Sequence, residues 1–123
     1  MKILSRESFL KLPEGTIFAK GEPWFFGNLS IKGDSMYFDS GGNDFIYLDP
    51  HWVDAHDSGE AMARLDEMLA TGCSYPMEDA FGRDGCFEDD AVFMVFERED
   101  LTKLKRYIES ALVLEGTSPN EDR

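Results

Sequence analysis

The sequence predicts an α+β fold, in which a small and mostly antiparallel sheet of about four to five strands carries two main helices and a short N-terminal helix. Three observations predict it. Short segments rich in aromatic and β-branched residues alternate with turn-forming residues over the first half of the chain. Apolar residues recur at helical spacing in two later segments, 61–69 and 101–112. The chain has 123 residues, 42% of them apolar, which suffices for one hydrophobic core.

The same composition predicts a single globular domain over residues 1–115. Residues 116–123 read Gly-Thr-Ser-Pro-Asn-Glu-Asp-Arg and lack the apolar side chains that a packed segment needs. We therefore expect a disordered C-terminal tail there.

The first half of the chain is predicted to form one short helix and four strands. Ser5 is the expected N-cap of a helix that Pro13 ends. Leu29 and Ile31 alternate with polar neighbours, which is typical of a half-buried antiparallel strand. The aromatic run at 24–26 is expected to pack in the core. The expected strands span residues 16–19, 27–32, 36–38 and 45–48.

The second half is predicted to contain two longer helices and one buried strand. Asp57 is the expected N-cap of the first helix, and Gly72 is expected to end it. Residues 73–90 predict a loop with one short strand near Phe81. Residues 91–96 are apolar on both faces, which is typical of a central strand. The last helix is expected over residues 99–114, with an inward stripe of Leu101, Leu104, Ile108, Ala111 and Leu112.

No segment of the sequence predicts secretion or a membrane span. Early positive charges at the N-terminus are not followed by an apolar stretch, and the longest unbroken apolar run, 91–96, is far too short to cross a bilayer. Cys73 and Cys86 are the two cysteines, and they lack the CxxC spacing of zinc or redox sites. We therefore expect reduced thiols and a cytoplasmic location.

The negative charge is confined to the middle of the chain. Asp and Glu number 25 against 12 Lys and Arg, which gives a net charge of −13. Residues 34–90 contain fifteen acidic and two basic side chains and so hold all of this charge, whereas the rest of the chain has ten of each. This acidity disfavours direct binding to nucleic acid or to an anionic membrane, because both require Lys and Arg. It favours a basic protein as partner.

The acidic segment predicts a partner-binding surface. Carboxylates along one surface can imitate the phosphates of a nucleic acid and speed association with a cationic groove. Trp52 lies among them and is a candidate interface anchor. The alternative interpretation is a solvated face that only confers solubility. The candidate partner-binding residues are Asp34, Asp39, Asp44, Asp49, Trp52, Asp54, Asp57, Glu78, Asp79, Asp84, Glu88, Asp89 and Asp90.

Motifs for enzymatic chemistry are incomplete. The richest cluster, 49–57, contains His51 and His56, which are five positions apart and so differ from the i, i+4 pair of HExxH zinc enzymes. Residues 82–90 lack the residue order of a calcium loop. We therefore expect no enzyme activity, no catalytic residue, no metal and no cofactor. The enzymatic alternative is a metal-dependent hydrolase that uses Asp49, His51, Asp54, His56 and Asp57.

Two segments, LPEGT at 12–16 and FGRDG at 81–85, together with size, layout and acidity, resemble small phage-borne accessory proteins. Such proteins include anti-CRISPR and anti-restriction inhibitors, several of which are acidic mimics of DNA. The resemblance implies a non-enzymatic inhibitor that binds the cationic nucleic-acid-binding groove of a host defence nuclease or CRISPR effector.

Bacterial immunity proteins are a second similar group, because they place carboxylates over the cationic active site of a nuclease toxin. Neither resemblance assigns a function to an individual residue. A small structural protein whose acidic face confers solubility is the remaining alternative.

Overall fold

The computed structural model describes residues 1–117, which form one antiparallel sheet of seven strands with three helices. The predicted α+β class is confirmed, with more strands than the four to five expected. In chain order the elements are β1 (Lys2–Ser5), α1 (Arg6–Leu10), β2 (Ile17–Glu22), β3 (Phe25–Phe26), β4 (Ser30–Met36), β5 (Asp44–Leu48), α2 (Ser58–Thr71), β6 (Gly82–Arg83), β7 (Val92–Val95) and α3 (Arg98–Thr117).

The strands lie in the order β1-β7-β2-β4-β5-β6, and β3 pairs with the end of β2. All neighbouring strands are antiparallel. The last strand of the chain, β7, therefore lies inside the sheet between β1 and β2. Phe93 and Val95 of β7 are buried, as the apolar run at 91–96 predicts for an internal strand.

Four aromatic rings form the centre of the core on one face of the sheet. Phe9 of α1 stacks on Phe93 with 4.0 Å between ring centroids, and its centroid lies 4.7 Å from that of Phe18 and 5.1 Å from that of Phe45. Helix α1 is therefore the element that covers this face, although it has only five residues. The buried cluster is completed by Leu10, Ala91 and Val95.

The predicted helix caps are confirmed. The Ser5 hydroxyl accepts a hydrogen bond from the Ser8 N–H, and the Asp57 carboxylate accepts one from the Glu60 N–H at 2.8 Å. Gly72 ends α2 with a φ of 75°, in the left-handed region that favours glycine. Short-range signals of this kind depend only on neighbouring residues, which is why the sequence predicts them well.

Strand β4 is longer than predicted. The expected strands at 27–32 and 36–38 are replaced by one strand, Ser30–Met36. A bulge between Lys32 and Ser35 shifts its pairing with β5. The bulge lets the chain continue as a strand through a segment, Gly33-Asp34-Ser35, whose composition is typical of a turn.

The buried side of β4 is polar, which the alternation of the sequence does not suggest. Ser30 and Lys32 are buried, whereas Ile31 is half-buried. The Ser30 hydroxyl donates a hydrogen bond to the Asp49 carboxylate, and the Lys32 ammonium donates one to the Ser35 hydroxyl at 2.8 Å. These bonds offset the loss of hydration that burial of a polar group entails.

The aromatic run at 24–26 forms the tip of the β2–β3 hairpin, so the prediction that it packs in the core is wrong. Trp24 is 93% exposed and Phe25 is 78% exposed. The hairpin turns tightly after Gly21, where a Cβ atom would lie 2.0 Å from the Phe25 carbonyl oxygen. The tip of the hairpin lies beyond the last residue pair between β2 and β7, in which Gly21 is opposite Val92. An aromatic composition by itself does not distinguish a core segment from an exposed tip.

Helix α3 is also longer than predicted. It continues to Thr117, so residues 116 and 117 are helical and not part of a tail. Residues 118–123, where the rest of the predicted tail falls, lie outside the described residues.

The inward orientation predicted for the apolar residues of α3 is wrong. Leu104 is half-buried, but the other four expected core residues are exposed: Leu101, Ile108, Ala111 and Leu112. Helix α2 is similar, since Ala61 is buried while Met62 and Leu69 are exposed. Among the helices of residues 1–117, none is long and apolar enough to cross a membrane.

Candidate functional site

The candidate partner-binding residues separate into buried and accessible groups. The side chains of Asp44 and Asp84 are 0% and 6% exposed. Only an accessible carboxylate can contact a partner, so this division decides which predicted residues are usable. The accessible group, exposed or half-buried, consists of Asp34, Asp39, Asp49, Trp52, Asp54, Asp57, Glu78, Asp79, Glu88, Asp89 and Asp90.

Asp44 and Asp84 belong to a network of ion pairs, with Arg6, Asp44 and Asp84 buried at its centre, that links α1, β2 and the residues around β6. The Arg83 Nε donates to Asp44 at 2.9 Å, and Arg6 lies between both carboxylates, 3.7 Å from Asp44 and 3.3 Å from Asp84. The Lys20 Nζ donates to Asp84 at 2.8 Å. Two of these three cations come from the charge-balanced part of the chain and neutralise acids of the acidic segment.

The pKa of the Asp44 carboxyl is held below its ordinary value. Burial alone would raise this pKa, but hydrogen bonds from the Gly85 and Phe45 N–H groups and from Arg83 outweigh that effect. Asp44 is thus a buried, ionised carboxylate with its hydrogen bonds satisfied. Asp44 and Asp84 are therefore structural and are removed from the partner-binding set.

The loop after β5 and the loop after α2 are joined edge to edge. Val53 and Met77 form an antiparallel bridge, flanked by hydrogen bonds from the Asp54 N–H to the Pro76 carbonyl at 2.9 Å and from the Glu78 N–H to the Trp52 carbonyl at 2.7 Å. This pairing brings together two acidic stretches that lie more than twenty positions apart in the chain.

The bridge gathers a group of three carboxylates. Oxygen atoms of Asp54, Glu78 and Asp79 all lie within 4.8 Å of one another. Within residues 1–117 this is the only such group of three or more acidic, His or Cys side chains. Its all-oxygen composition is the kind that could hold a hard cation such as Ca²⁺ or Mg²⁺.

The five residues of the hydrolase alternative have separate local roles. Of these, only Asp54 belongs to the carboxylate group. Asp49 accepts from Ser30, and Asp57 caps α2. His51 is exposed beside Trp52, and the backbone of His56 donates to Glu60. The structure does not bring the two imidazoles into one group of ligands with these carboxylates.

Two open clefts share Tyr47 and Asp49 and so form one continuous surface. The first is lined by Tyr47, Asp49, His51, Trp52 and Glu78, among others. The second runs over Lys20, Ser30, Tyr47, Asp49, Asp84 and Cys86. Burial, followed by the charges of Asp49 and Asp84, raises the pKa of Tyr47. Asp49 therefore lies between Glu78, which lines the first cleft, and the Asp84–Lys20 ion pair, which lines the second.

The loop 88–90 extends this surface to the end of the sheet. The Lys20 Nζ that pairs with Asp84 also binds Glu88 at 3.1 Å. Asp89 and Asp90 are exposed, and none of residues 1–117 places a cation within 4.0 Å of either. We call the set Asp49, Asp54, Glu78, Asp79, Glu88, Asp89 and Asp90 the acidic surface.

The exposed aromatic tip lies at the same end of the sheet as this loop. Because Gly21 pairs with Val92, the residues that follow Glu22 and those that precede Val92 leave the sheet side by side. Trp24 and Phe25 therefore extend from the same end of the sheet as the 88–90 loop. Sequence reasoning missed both residues, although Pro23 before Trp24 between two strand segments is typical of a turn.

The remaining predicted residues lie apart from the acidic surface. Asp34 shares a hydrogen bond with Glu14, which raises the pKa of the Glu14 carboxyl, with their mutual repulsion adding to the effect. Asp39 lies in the exposed turn after β4. Trp52 lies in the first cleft and is 46% exposed, as expected of a candidate anchor.

Comparison of the chain with protein-family models, with curated proteins and with solved structures finds no match.

Proposed function

We propose that this chain is a non-enzymatic inhibitor that acts in the cytoplasm by binding the cationic nucleic-acid-binding groove of a host defence nuclease or its guide complex. The observation that carries the proposal is the continuity of the acidic surface through Asp49. Asp49 and Glu78, from two distant stretches of the chain, border the first cleft. Asp49 also borders the second cleft, which is lined by the Lys20 that binds Glu88.

Lys20 binds Glu88 of the acidic surface, but its other six carboxylates form no ion pair among residues 1–117, which is unlike an ordinary solvated face. Where a carboxylate of the acidic segment needs neutralising for the fold, as Asp44 and Asp84 do, the structure supplies Arg6, Lys20 and Arg83. The three carboxylates around Asp54 have no such partner among residues 1–117. Their mutual repulsion is relieved when a cationic groove covers them.

The exposed aromatic residues supply the apolar contacts that such an interface needs. Trp52 borders the first cleft, and Trp24 and Phe25 extend from the same end of the sheet as the 88–90 loop. Trp is the residue type most often found at the energetic centre of protein interfaces. Carboxylates would provide fast association and orientation, and the aromatic residues would slow dissociation.

The test is an affinity capture from bacterial lysate on the immobilised full chain, at about 50 mM and about 300 mM NaCl, with and without duplex DNA as competitor. We expect a nucleic-acid-binding protein to be retained at low salt, released at high salt and displaced by the DNA. Retention that does not respond to salt or to DNA contradicts the proposal.

A pair of matched variants then locates the surface on the captured protein. Asp89→Asn with Asp90→Asn removes two charges from the acidic surface, and Asp66→Asn with Glu99→Gln removes two exposed charges elsewhere. We expect association to slow several-fold with the first pair and to stay unchanged with the second, because steering depends on charges at the interface. Equal effects of both pairs would show that only the net charge matters.

A further inference from the structure

Helix α3 presents a row of apolar side chains to the surface. Leu101, Leu104, Ile108 and Leu112 follow one another at three- and four-residue intervals and so lie on one face, here named the α3 stripe. Ile108 is 60% exposed and Leu112 is 64% exposed. A single exposed Leu is ordinary, but a row along three helical turns is typical of a helix that pairs with another.

The face of α3 opposite the stripe is polar, while the exposed Tyr107 and Leu114 extend the apolar side along one flank. On the opposite side of the helix lie Lys103, Arg106 and Ser110, with Val113 at the edge of that side. A helix of 20 residues has little stability in water unless its apolar face packs against something. A partner helix on the stripe would supply that packing.

The charges along α3 are complementary between two copies only in one orientation. Residues 98–106 contain four basic and two acidic side chains, a net charge of +2, and two of the bases, Arg98 and Lys105, flank the α3 stripe. Residues 109–117 contain two acidic and no basic side chains, a net charge of −2. An antiparallel pair sets each positive half against a negative half, whereas a parallel pair sets like charge against like charge.

The charge of the rest of the molecule favours the same orientation. All of the net charge of −13 comes from residues 34–90, which precede α3. A helix of 20 residues is about 30 Å long, so an antiparallel pair holds the two acidic bodies near opposite ends. That separation is several times the screening length of about 8 Å at physiological salt.

We propose that α3 is a self-association surface, on which the α3 stripe pairs in antiparallel orientation with the α3 stripe of a second copy of this chain. The pair places two acidic surfaces on one assembly, at its two ends. This inference is independent of the proposed function, because it depends only on the apolar and charge pattern of α3.

Analytical ultracentrifugation of the full chain tests the association. We expect a concentration-dependent dimer for the wild type, and a dimer at least tenfold weaker after Ile108→Glu with Leu112→Glu. The matched control, Ser110→Glu with Val113→Glu, adds the same charge on the other side of α3 and should leave the dimer intact; Val113 is as exposed as Leu112. A wild type that sediments as a monomer overturns the proposal, and so does a control pair that weakens the dimer as much.

Charge reversal tests the orientation. Arg98→Glu with Lys105→Glu, two changes beside the α3 stripe, turns the positive half negative and should weaken an antiparallel dimer about tenfold, while circular dichroism should show that α3 remains helical. Adding Glu109→Lys and Glu115→Lys restores both the complementarity and the net charge, so the dimer should recover. A dimer that the first pair leaves unchanged, or that the second pair does not restore, overturns the antiparallel arrangement.

Discussion

Lys32 shows how a single polar residue of β4 is accommodated in the interior. Its side chain is 1% exposed, and its ammonium lies 5.7 Å from the centroid of the Phe9 ring. The ammonium donates to the Gly33 carbonyl and to the Ser35 hydroxyl, but within residues 1–117 it forms no ion pair. Burial lowers the pKa of this lysine, and the more distant charges of Asp34 and Glu14 oppose the shift only in part.

We predict that Lys32→Met raises the free energy of unfolding by about 1 kcal/mol at pH 7, because a buried ammonium without a counter-ion is replaced by an apolar side chain of similar length. The pKa of Lys32 is lowered in the fold, so the wild type should gain stability as the pH rises towards the ordinary lysine value of about 10.4. Denaturant unfolding at pH 7 and pH 9.5 measures both effects. The exposed Lys11→Met is the control, and an equal gain from it would contradict the account.

Trp24 combines exposure with an unfavourable backbone. Its φ of 84° lies in the region that favours glycine, and a bulky residue there is strained by about 1–2 kcal/mol. Its side chain packs against little, since it is almost fully exposed. A glycine at this turn would contribute at least as much to stability as the strained, exposed tryptophan does. Stability therefore does not account for Trp24, which agrees with a binding role.

We predict that Trp24→Gly raises the free energy of unfolding by about 1 kcal/mol and weakens binding to the captured partner. Trp24→Ala should weaken binding equally without the gain in stability, because alanine keeps the Cβ and therefore the strain. Thermal unfolding and the dissociation rate provide the two measurements. Unchanged binding in both variants would exclude Trp24 as an anchor.

At the scale of elements, the network around Asp44 adds ion pairs between α1, β2 and β5, whose Phe side chains already meet in the core, and it attaches β6 to them. Arg6 comes from α1, Lys20 from β2, Asp44 from β5 and Arg83 from β6. The edge strand β6 has two residues and two register pairs with β5, so these charges strengthen its attachment. Removing Asp44 leaves the buried guanidinium of Arg6 without full neutralisation.

We predict that Asp44→Asn lowers the free energy of unfolding by about 3 kcal/mol at pH 7. The pKa of Asp44 is lowered in the fold, so its contribution is present above the ordinary value of about 3.9 and is lost as the pH falls through the folded value. The wild type should therefore lose stability more steeply than Asp44→Asn below about pH 4, which denaturant unfolding at several pH values measures. Asp39→Asn, at an exposed position, should behave as wild type; a similar loss there would contradict the assignment.

The sequence predicts an element well where the pattern involves neighbouring residues. It predicts poorly where the outcome depends on contacts between distant segments. The caps at Ser5, Asp57 and Gly72 are local and are confirmed. The periodicity of α3 predicted a helix correctly, but the same stripe is compatible with a core or with a partner chain. Strand β1 was missed because its pairing partner, β7, lies some ninety positions later.

At the scale of the whole molecule, the net charge of −13 opposes the compact state through repulsion. The buried network reduces this repulsion at the centre, while the acidic surface concentrates it at the clefts and the 88–90 loop. The exposed carboxylates therefore destabilise the folded state. Such a distribution of charge is typical of a surface that serves binding.

We predict that the melting temperature of the wild type rises by a few degrees when NaCl is increased from about 0.05 M to about 0.5 M, because salt screens this repulsion. Asp89→Asn with Asp90→Asn should melt higher at low salt and respond less to added salt, and differential scanning fluorimetry measures both. If the variant and the wild type respond to salt equally, repulsion at the 88–90 loop does not limit stability.

The sequence by itself determined the α+β class, the helix caps and the confinement of charge to residues 34–90, because propensity, capping and charge are properties of residues and their near neighbours. Only the tertiary structure decided which carboxylates are accessible. Asp44 is neutralised inside by Arg6 and Arg83, whereas Asp54 meets Glu78 at the surface, and both outcomes depend on strand pairings between distant segments. The exposure of Trp24 and of the α3 stripe was decided in the same way, since an apolar side chain carries no local sign of what covers it.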